Sequence, residues 1–288
     1  MLSNIRKGAA DMTLRRITKL VVKLFLYCWC IFTVFALLWV LLSSLKTNNE
    51  FFSKTWGLFK VPQVSNYAKV LFQYNLGKGF INSIFVVTLS IIGILMVSAP
   101  AAYILARIPF PFRGALAKFI ILGMGIPVQL LLVPLFFTLS KLKLIDDLWG
   151  LILVYIALSL PYNIFLIMGF FRSLPHELEE AARIDGCSMI KTFIKIILPL
   201  GQPALVTCTV FLFIDLINEF MLAYTFISSE SKQTVSVGLA GLQTSMLYTG
   251  DWVALFAGLT IAIMPMAVIY IFLSRSIIEG ITVGAVKG

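Results

Sequence analysis

Glu177-Leu178-Glu179-Glu180-Ala181-Ala182-Arg183-Ile184-Asp185-Gly186, followed by Lys191-Thr192-Phe193 and Leu198-Pro199-Leu200, stands between two long hydrophobic stretches. It reads as helix, glycine turn, second helix. Pro175 suits a first helical turn, where its missing N–H costs nothing, and Ser173 before it is a candidate cap. Glu177, Glu179 and Glu180 fall in the early turns, where carboxylates favour the positive end of the helix dipole. Ala181 and Ala182 keep one face thin. Gly186 is suited to the left-handed conformation that ends a helix, Ser188 to capping the next one, and Pro199 to stopping it. Two readings are open. The segment is either a docking element for a soluble partner or an ordinary solvated loop.

The sequence on both sides places this segment in a membrane protein. Hydrophobic residues make up 60% of the 288 and charged residues 12%, against about 25% charged in a soluble chain, and mean hydropathy is +0.98. Apolar runs of 18 or more residues with few charges read as membrane helices. Six are present, at roughly Leu24–Leu42, Ile81–Ala106, Phe119–Leu139, Leu148–Phe171, Ala204–Ile227 and Val253–Leu273. Pro100, Pro127, Pro134, Pro161 and Pro265 lie within them, which bundles tolerate because neighbouring helices re-satisfy the freed backbone groups. The expected fold is all-α and polytopic with six transmembrane helices. Residues 1–23 are a basic lead-in, 24–275 the membrane domain including the loop 172–202, and 276–288 a tail.

The net charge of +10 raises the question of nucleic acid, and the distribution of charge answers it. An even span count puts both termini on one side. Arg6, Lys7, Arg15, Arg16, Lys19, Lys23, Arg107, Arg113, Lys118, Arg172, Arg183, Lys191, Lys195, Arg275 and Lys287 fall on that side, 15 of the 23 Lys and Arg. This bias orients the termini and the Glu180 linker toward the cytoplasm and makes the basic excess a topology signal. Cys28 and Cys30 point apart on a helix, unsuited to a shared metal or disulfide. Cys187 lies on the reducing side, so these and Cys208 read as structural. No cleavable signal peptide is evident, since a long charged segment precedes the first span.

The external segments carry fewer signals. Phe51, Phe52, Trp56, Phe59, Tyr67 and Tyr74 in the Lys46–Gly79 segment read as anchors at the lipid headgroups. Asp215 and Glu219, spaced i,i+4 around Asn218 in the fifth span, face one side. Intramembrane carboxylates are costly and face a cavity or a partner, so these three either line a polar path or form an interfacial pair. No enzyme is expected and no catalytic or metal site is assigned. The only histidine, His176, has no neighbouring nucleophile or metal cluster. No Gly-x-x-x-x-Gly-Lys-[Ser/Thr] loop is present either, because Gly77-Lys78-Gly79 lacks the spacing.

Glu180-Ala181-Ala182-Arg183-Ile184-Asp185-Gly186 with Ile197-Leu198-Pro199 resembles the EAA signature of binding-protein-dependent ABC importer permeases. Further matches are Asn82-Ser83, Ala101-Ala102-Tyr103-Ile104-Leu105-Ala106-Arg107, Pro134-Leu135, Asn218-Glu219-Phe220 and the ending Gly280-Ile281-Thr282-Val283-Gly284-Ala285-Val286-Lys287-Gly288. Together they resemble the shorter permease subunit of maltose-type carbohydrate importers over nearly the whole length. Ile217 stands where that family usually has Trp, and Ser236 where Pro is common.

The resemblance implies a type I importer permease fold in the bacterial inner membrane, both termini cytoplasmic. It implies a companion permease forming a heterodimer, a cytoplasmic ATPase dimer carrying the ATP and Mg, an extracytoplasmic substrate-binding protein, and a sugar or oligosaccharide as cargo, with no cofactor on this chain. Glu180, Ala181, Ala182, Asp185 and Gly186 would couple to the ATPase, and Gly284, Ala285, Val286, Lys287 and Gly288 would touch it from the tail. The external Gly238–Trp252 segment, with Gly241, Tyr248, Gly250 and Asp251, resembles a loop that reaches into the docked binding protein, the other reading being a plain connector. The competing function is a self-sufficient secondary transporter or channel, which usually shows inverted repeats and broken mid-membrane helices. Neither is evident in the sequence.

Overall fold

The computed structural model describes residues 2–285, with the side chains of residues 16, 18–268 and 271. Every described regular element is helical. α1 (Leu2–Ser44) joins the basic lead-in and the first apolar stretch in one helix. Outside the span come α2 (Asn48–Ser53), which starts in a reciprocal capping box between Thr47 and Glu50, and α3 (Ser65–Ala68), continued by a π turn at Lys69–Gln73. α4 (Leu76–Arg107) and α7 (Leu148–Ser173) are unbroken and, like the Thr18–Ser44 part of α1, long and apolar enough to cross a bilayer.

The third and fifth apolar stretches are bent, where the sequence suggested plain spans. α5 (Arg113–Leu122) and α6 (Val128–Lys141) meet at 99° across a 3-10 turn at Gly123–Gly125. Pro127 holds Ile126 extended there (φ −87°, ψ 116°), as the residue before a proline prefers. The polar segment is α8 (Glu177–Ile184) and α9 (Met189–Thr192). A π turn at Phe193–Ile197 follows, then α10 (Leu198–Leu200). A 69° bend at Gly201 leads into α11 (Gln202–Asn218). Pro199 therefore does not stop the second helix. It sits in the first turn of α10, where its missing N–H is harmless, and Gly201 supplies the turn. A Cβ at Gly201 would sit 2.5 Å from the Phe171 ring, so only glycine lets the bend lie flat on α7.

Glu219, extended at φ −64°, ψ 130°, breaks the fifth stretch before α12 (Met221–Phe226). The external segment that read as a loop is mostly α13 (Val235–Thr249), packed on α4 and on α14 (Trp252–Ala285). α14 holds the sixth apolar stretch.

The α4–α7 pair is the most extensive helix contact. Its half nearer Leu76 carries a core of Val86, Ile94, Leu151 and Tyr155, and its half nearer Arg107 a second core of Tyr103, Ile167, Phe171 and Ile197. α1 packs on α14, and Trp39 of α1, Phe51 of α2 and Phe256 of α14 form an aromatic cluster. Phe51 is thus buried in the chain, whereas Phe52 and Trp56 stay exposed as expected of interfacial anchors. The most apolar window of α1 has none of its residues buried. Cys28 and Cys30 are exposed on it, and Cys208 is buried in the second core.

Candidate functional site

The polar segment folds as helix, glycine turn and helix, as the sequence suggested; besides the changed role of Pro199, its start differs. The Ser173 hydroxyl donates back to the Phe170 carbonyl at 2.8 Å and caps nothing. α8 begins only after His176, because Leu174 is extended (ψ 146°) before Pro175. At its end Gly186 takes φ +73°. The Cys187 N–H donates to the Ala182 carbonyl at 2.9 Å and the Gly186 N–H to Arg183 at 3.1 Å, the paired bonds of a Schellman stop. Ser188 then caps α9 by accepting from the Lys191 N–H at 3.3 Å.

This geometry sorts the coupling candidates by face. Glu180, Ala181, Asp185 and Gly186 are exposed. Ala182 is not, being 3% exposed against its own chain, so its small side chain serves internal packing. Ile184 is 86% exposed and Ile190 67%, with Met189 and Ile194 also uncovered. Large apolar side chains left exposed on a charged segment mark it as a candidate interaction surface.

Glu179, beside Glu180 in sequence, turns the other way, to the end of α4. The Arg107 side chain is fully buried there. Its Nη2 donates to the Leu174 carbonyl at 2.7 Å and to Pro175 at 3.2 Å, and its Nε lies 3.4 Å from Glu179 Oε2. One turn earlier the Tyr103 ring stacks on Phe193, centroids 5.1 Å apart. Sequence reasoning counted Arg107 as a topology charge and as the end of a family-like stretch, and Glu179 as a helix-start carboxylate, with no contact foreseen between them. The pairing joins residues far apart in the chain, and nothing local signals it.

A cavity of about 580 Å³ opens between α6, α7, α11 and α12, lined in part by Gln129, Tyr155, Ser159, Tyr162, Asn163, Asp215 and Glu219. Glu219 is committed within the chain. Its carboxylate accepts from the Leu222 N–H at 2.7 Å, the Ala223 N–H at 3.1 Å and the Tyr155 hydroxyl at 2.6 Å, so it caps α12. Asp215 shares the cavity and makes no hydrogen bond or ion pair among the described residues. Asn218 does not line it, its amide donating to the Ile214 carbonyl at 2.7 Å. Asn163, 2% exposed, donates to the Ser159 carbonyl and leaves its Oδ1 without a donor. Tyr155, Ser159, Tyr162 and Asn163 repeat at i, i+4, i+7 and i+8, a polar stripe along one face of α7. That spacing was visible in the sequence and was passed over.

The external candidates also divide. Gly241, Tyr248 and Gly250 (φ +66°) are exposed, Tyr248 at 87%. Asp251 is 7% exposed and points inward. It pairs with Lys69 and accepts from the Asn48 amide at 3.0 Å. Burial pulls its pKa up, but these hydrogen bonds outweigh it and hold the carboxyl below its ordinary value. Asn82 and Ser83 tie α4 to the segment before α13: the Asn82 amide donates to the Ser231 and Gln233 carbonyls, and Ser83 Oγ accepts from the Val235 N–H. Ser236 donates to the Glu219 carbonyl at 2.7 Å, a bond that a proline there would not make. Ile217 is buried in the core around Val86 and Tyr155. Of the tail, Gly284 and Ala285 close α14 in backbone only, and Val286, Lys287 and Gly288 lie outside the described residues.

A family model described as the inner membrane component of binding-protein-dependent transport systems matches residues 98–282. The chain belongs to this family. The permease is a multi-pass membrane protein and one subunit of a transport complex. It is 35% identical to the diacetylchitobiose uptake system permease protein NgcG of Streptomyces coelicolor, over 91% of this chain and 87% of that protein. It is 32% identical to the trehalose/maltose transport system permease protein MalG of Thermococcus litoralis, over 90% and 93%. A bacterial ABC transporter involved in the import of the acidic polysaccharide alginate has a chain with the same fold. The TM-score is 0.78 at 23% identity, covering 90% of the permease and 96% of that chain.

Proposed function

We propose that the permease carries a sugar or oligosaccharide into a bacterial cell as half of a heterodimeric pore, with both termini in the cytoplasm. The cargo class rests on the relatives, whose names concern diacetylchitobiose, trehalose and maltose. α8 and α9 are the docking element for a cytoplasmic ATPase pair, which holds the ATP and Mg. The observation that carries this reading is the split of two adjacent carboxylates. Glu179 is spent inside the chain, while Glu180 faces out beside the exposed Ile184 and Ile190. Glu180 is placed to pair with a basic group of the ATPase, and the two isoleucines to fill an apolar cleft. Gly186 sets the angle between the helices, and Ala181 and Asp185 complete the exposed face. Gly284–Gly288 adds a second contact with the same partner.

Cargo reaches the external face on a binding protein, which meets Gly241, Tyr248 and Gly250. It then passes the cavity of Asp215, Asn163, Gln129 and Tyr162, whose hydroxyl, amide and carboxylate groups suit sugar hydroxyls. Movement of the docking element alternates the access of that cavity, the work coming from the difference in contacts between the two states. ATP-dependent sugar uptake in vesicles containing all subunits, lost when the ATPase pair is left out, is the expected result. Uptake by this chain alone on an ion gradient would overturn it.

A further inference from the structure

Resting on the reading of α8 and α9 as the docking element, we propose that Arg107 is the positioning residue through which that element moves α4. The second span, to which it is not covalently joined, then takes the stroke ahead of its chain neighbours α7 and α11.

The covalent connections are compliant. On the α7 side the chain passes through extended Leu174 and Pro175, and Leu174 gives one backbone hydrogen bond back, to Phe171 at 3.2 Å. On the α11 side a π turn at Phe193–Ile197 is followed by the 69° bend at Gly201. Interruptions of this kind absorb rotation instead of passing it on.

The link to α4 differs in kind. One guanidinium nitrogen, Nη2, donates to two carbonyls of the connector, and Nε of the same rigid plane faces the carboxylate of α8, so the contact sets direction as well as distance. Tyr103, on the same face of α4, grips Phe193 just past α9. Both arms of the docking element are therefore held by two residues of a single helix. α4 has 32 residues without a break, roughly 48 Å at 1.5 Å per residue, enough to carry a displacement across the bilayer.

The joint also has a tighter arrangement within reach. Nε and Nη1 of Arg107 are buried and donate no hydrogen bond, although Glu179 Oε2 lies only 3.4 Å away. A small advance of α8 toward α4 would close this pair, and leaving such donors unused is costly. The joint therefore has unused bonding capacity on the side that faces Glu179. His176 Nδ1, 3.6 Å from the same oxygen with its side chain 69% exposed, also faces Glu179, as does the Tyr103 hydroxyl, with Arg183 close by.

The test uses the assembled complex of permease, companion and ATPase pair in lipid nanodiscs, with Cys28, Cys30, Cys187 and Cys208 replaced by serine. Spin labels go on exposed positions: Glu177→Cys on α8, which has no part in the proposed ATPase contact, and Ile104→Cys on α4, each paired with Trp149→Cys at the external end of α7. Distances are measured without nucleotide and with ATP plus orthovanadate. With Arg107 intact, nucleotide shifts both distance distributions. In Arg107→Gln the Glu177 shift persists and the Ile104 shift falls at least about twofold, as expected if the coupling runs through this contact. Arg107→Lys, which keeps the charge but loses the planar guanidinium, falls between. Glu179→Gln reproduces the loss from the opposite side and supplies the test if Arg107→Gln does not assemble. An Ile104 shift that survives in Arg107→Lys and Glu179→Gln, with the Glu177 label still responding, overturns the proposal. A Glu177 label that ignores nucleotide when Arg107 is intact overturns the docking reading instead.

Discussion

The two ends of α4 are held in opposite ways. At its Leu76 end Asn82 and Ser83 grip three backbone groups of the segment before α13. Nearby, Asp251 gathers Lys69 and Asn48, and Asp146 accepts from the N–H groups of Ser228 and Ser229 and from the Ser229 hydroxyl. Both carboxylates are bonded within their own chain, Asp251 buried and Asp146 with its side chain 28% exposed. At the Arg107 end one arginine bears on the connector before α8, and Glu180, next to Glu179 in sequence, faces outward. One end is tied by many bonds and the other by one side chain, the asymmetry that the proposed docking of α8 and α9 would use.

The strongest way to break this comparison is at Gly186. A side chain at φ +73° costs about 1–2 kcal/mol, and more with a branched Cβ, so Gly186→Val should re-aim α9. Uptake should fall roughly a hundredfold while ATP hydrolysis continues, a misplacement effect of the size expected for lost alignment. Normal uptake by this variant would remove the cytoplasmic half of the argument. Next comes the cavity between the two ends. Asp215→Asn and Asn163→Leu should each raise the KM for uptake by up to about tenfold, one lost hydrogen bond at about 1–1.5 kcal/mol, with binding-protein affinity unchanged. If neither moves KM, the cavity is not on the path.

The external knots should answer in stability. Asp251→Ala strands Lys69 and Asn48 and should lower the thermal midpoint in detergent, at a cost of about 1–3 kcal/mol, while ATP hydrolysis per folded complex stays the same. A coupling defect without loss of stability would make the external end part of the machinery. The smallest effect is one of pH. Hydrogen bonds from the Ser229 hydroxyl and backbone pull the Asp146 pKa from 3.8 down to about 2. A depressed carboxylate stabilises the fold above its unfolded pKa and loses that contribution as pH falls through the folded value. Pepsin cleavage around Ser228–Lys232 should therefore rise between pH 4 and 2, and Asp146→Asn should flatten that profile.

What could be read from sequence follows from the physics of each region. Hydropathy located the apolar stretches because exclusion from water acts on every residue of a span. Among the described residues three are single helices long enough to cross a bilayer, two are bent pairs and the last is a shorter apolar helix. Gly186 and Ser188 were legible because helix ends are settled within a few neighbouring residues. The bends near Pro127 and Gly201 were not: Pro100 and Pro161 sit inside unbroken helices, so a proline alone does not announce a break. Arg107 and Glu179 were read as surface charges because a single charge looks the same whether solvated or paired across the fold. Asp251 and Ala182 were assigned to contact surfaces on resemblance, and both turn inward. Asp215 was flagged as facing either a cavity or a partner and lies on a cavity wall, but its companions on α7 hid among apolar neighbours.

The 99° elbow between α5 and α6 has a mechanical meaning of its own. A straight rod such as α4 passes a push from end to end unchanged. An elbow with Val128 and Gln129 just past its corner, both on the cavity wall, converts a push into a change of angle and so into a change of enclosed volume. The same displacement that shifts α4 lengthwise would open or pinch the chamber beside it, making the corner at Pro127 the point where stroke becomes capacity.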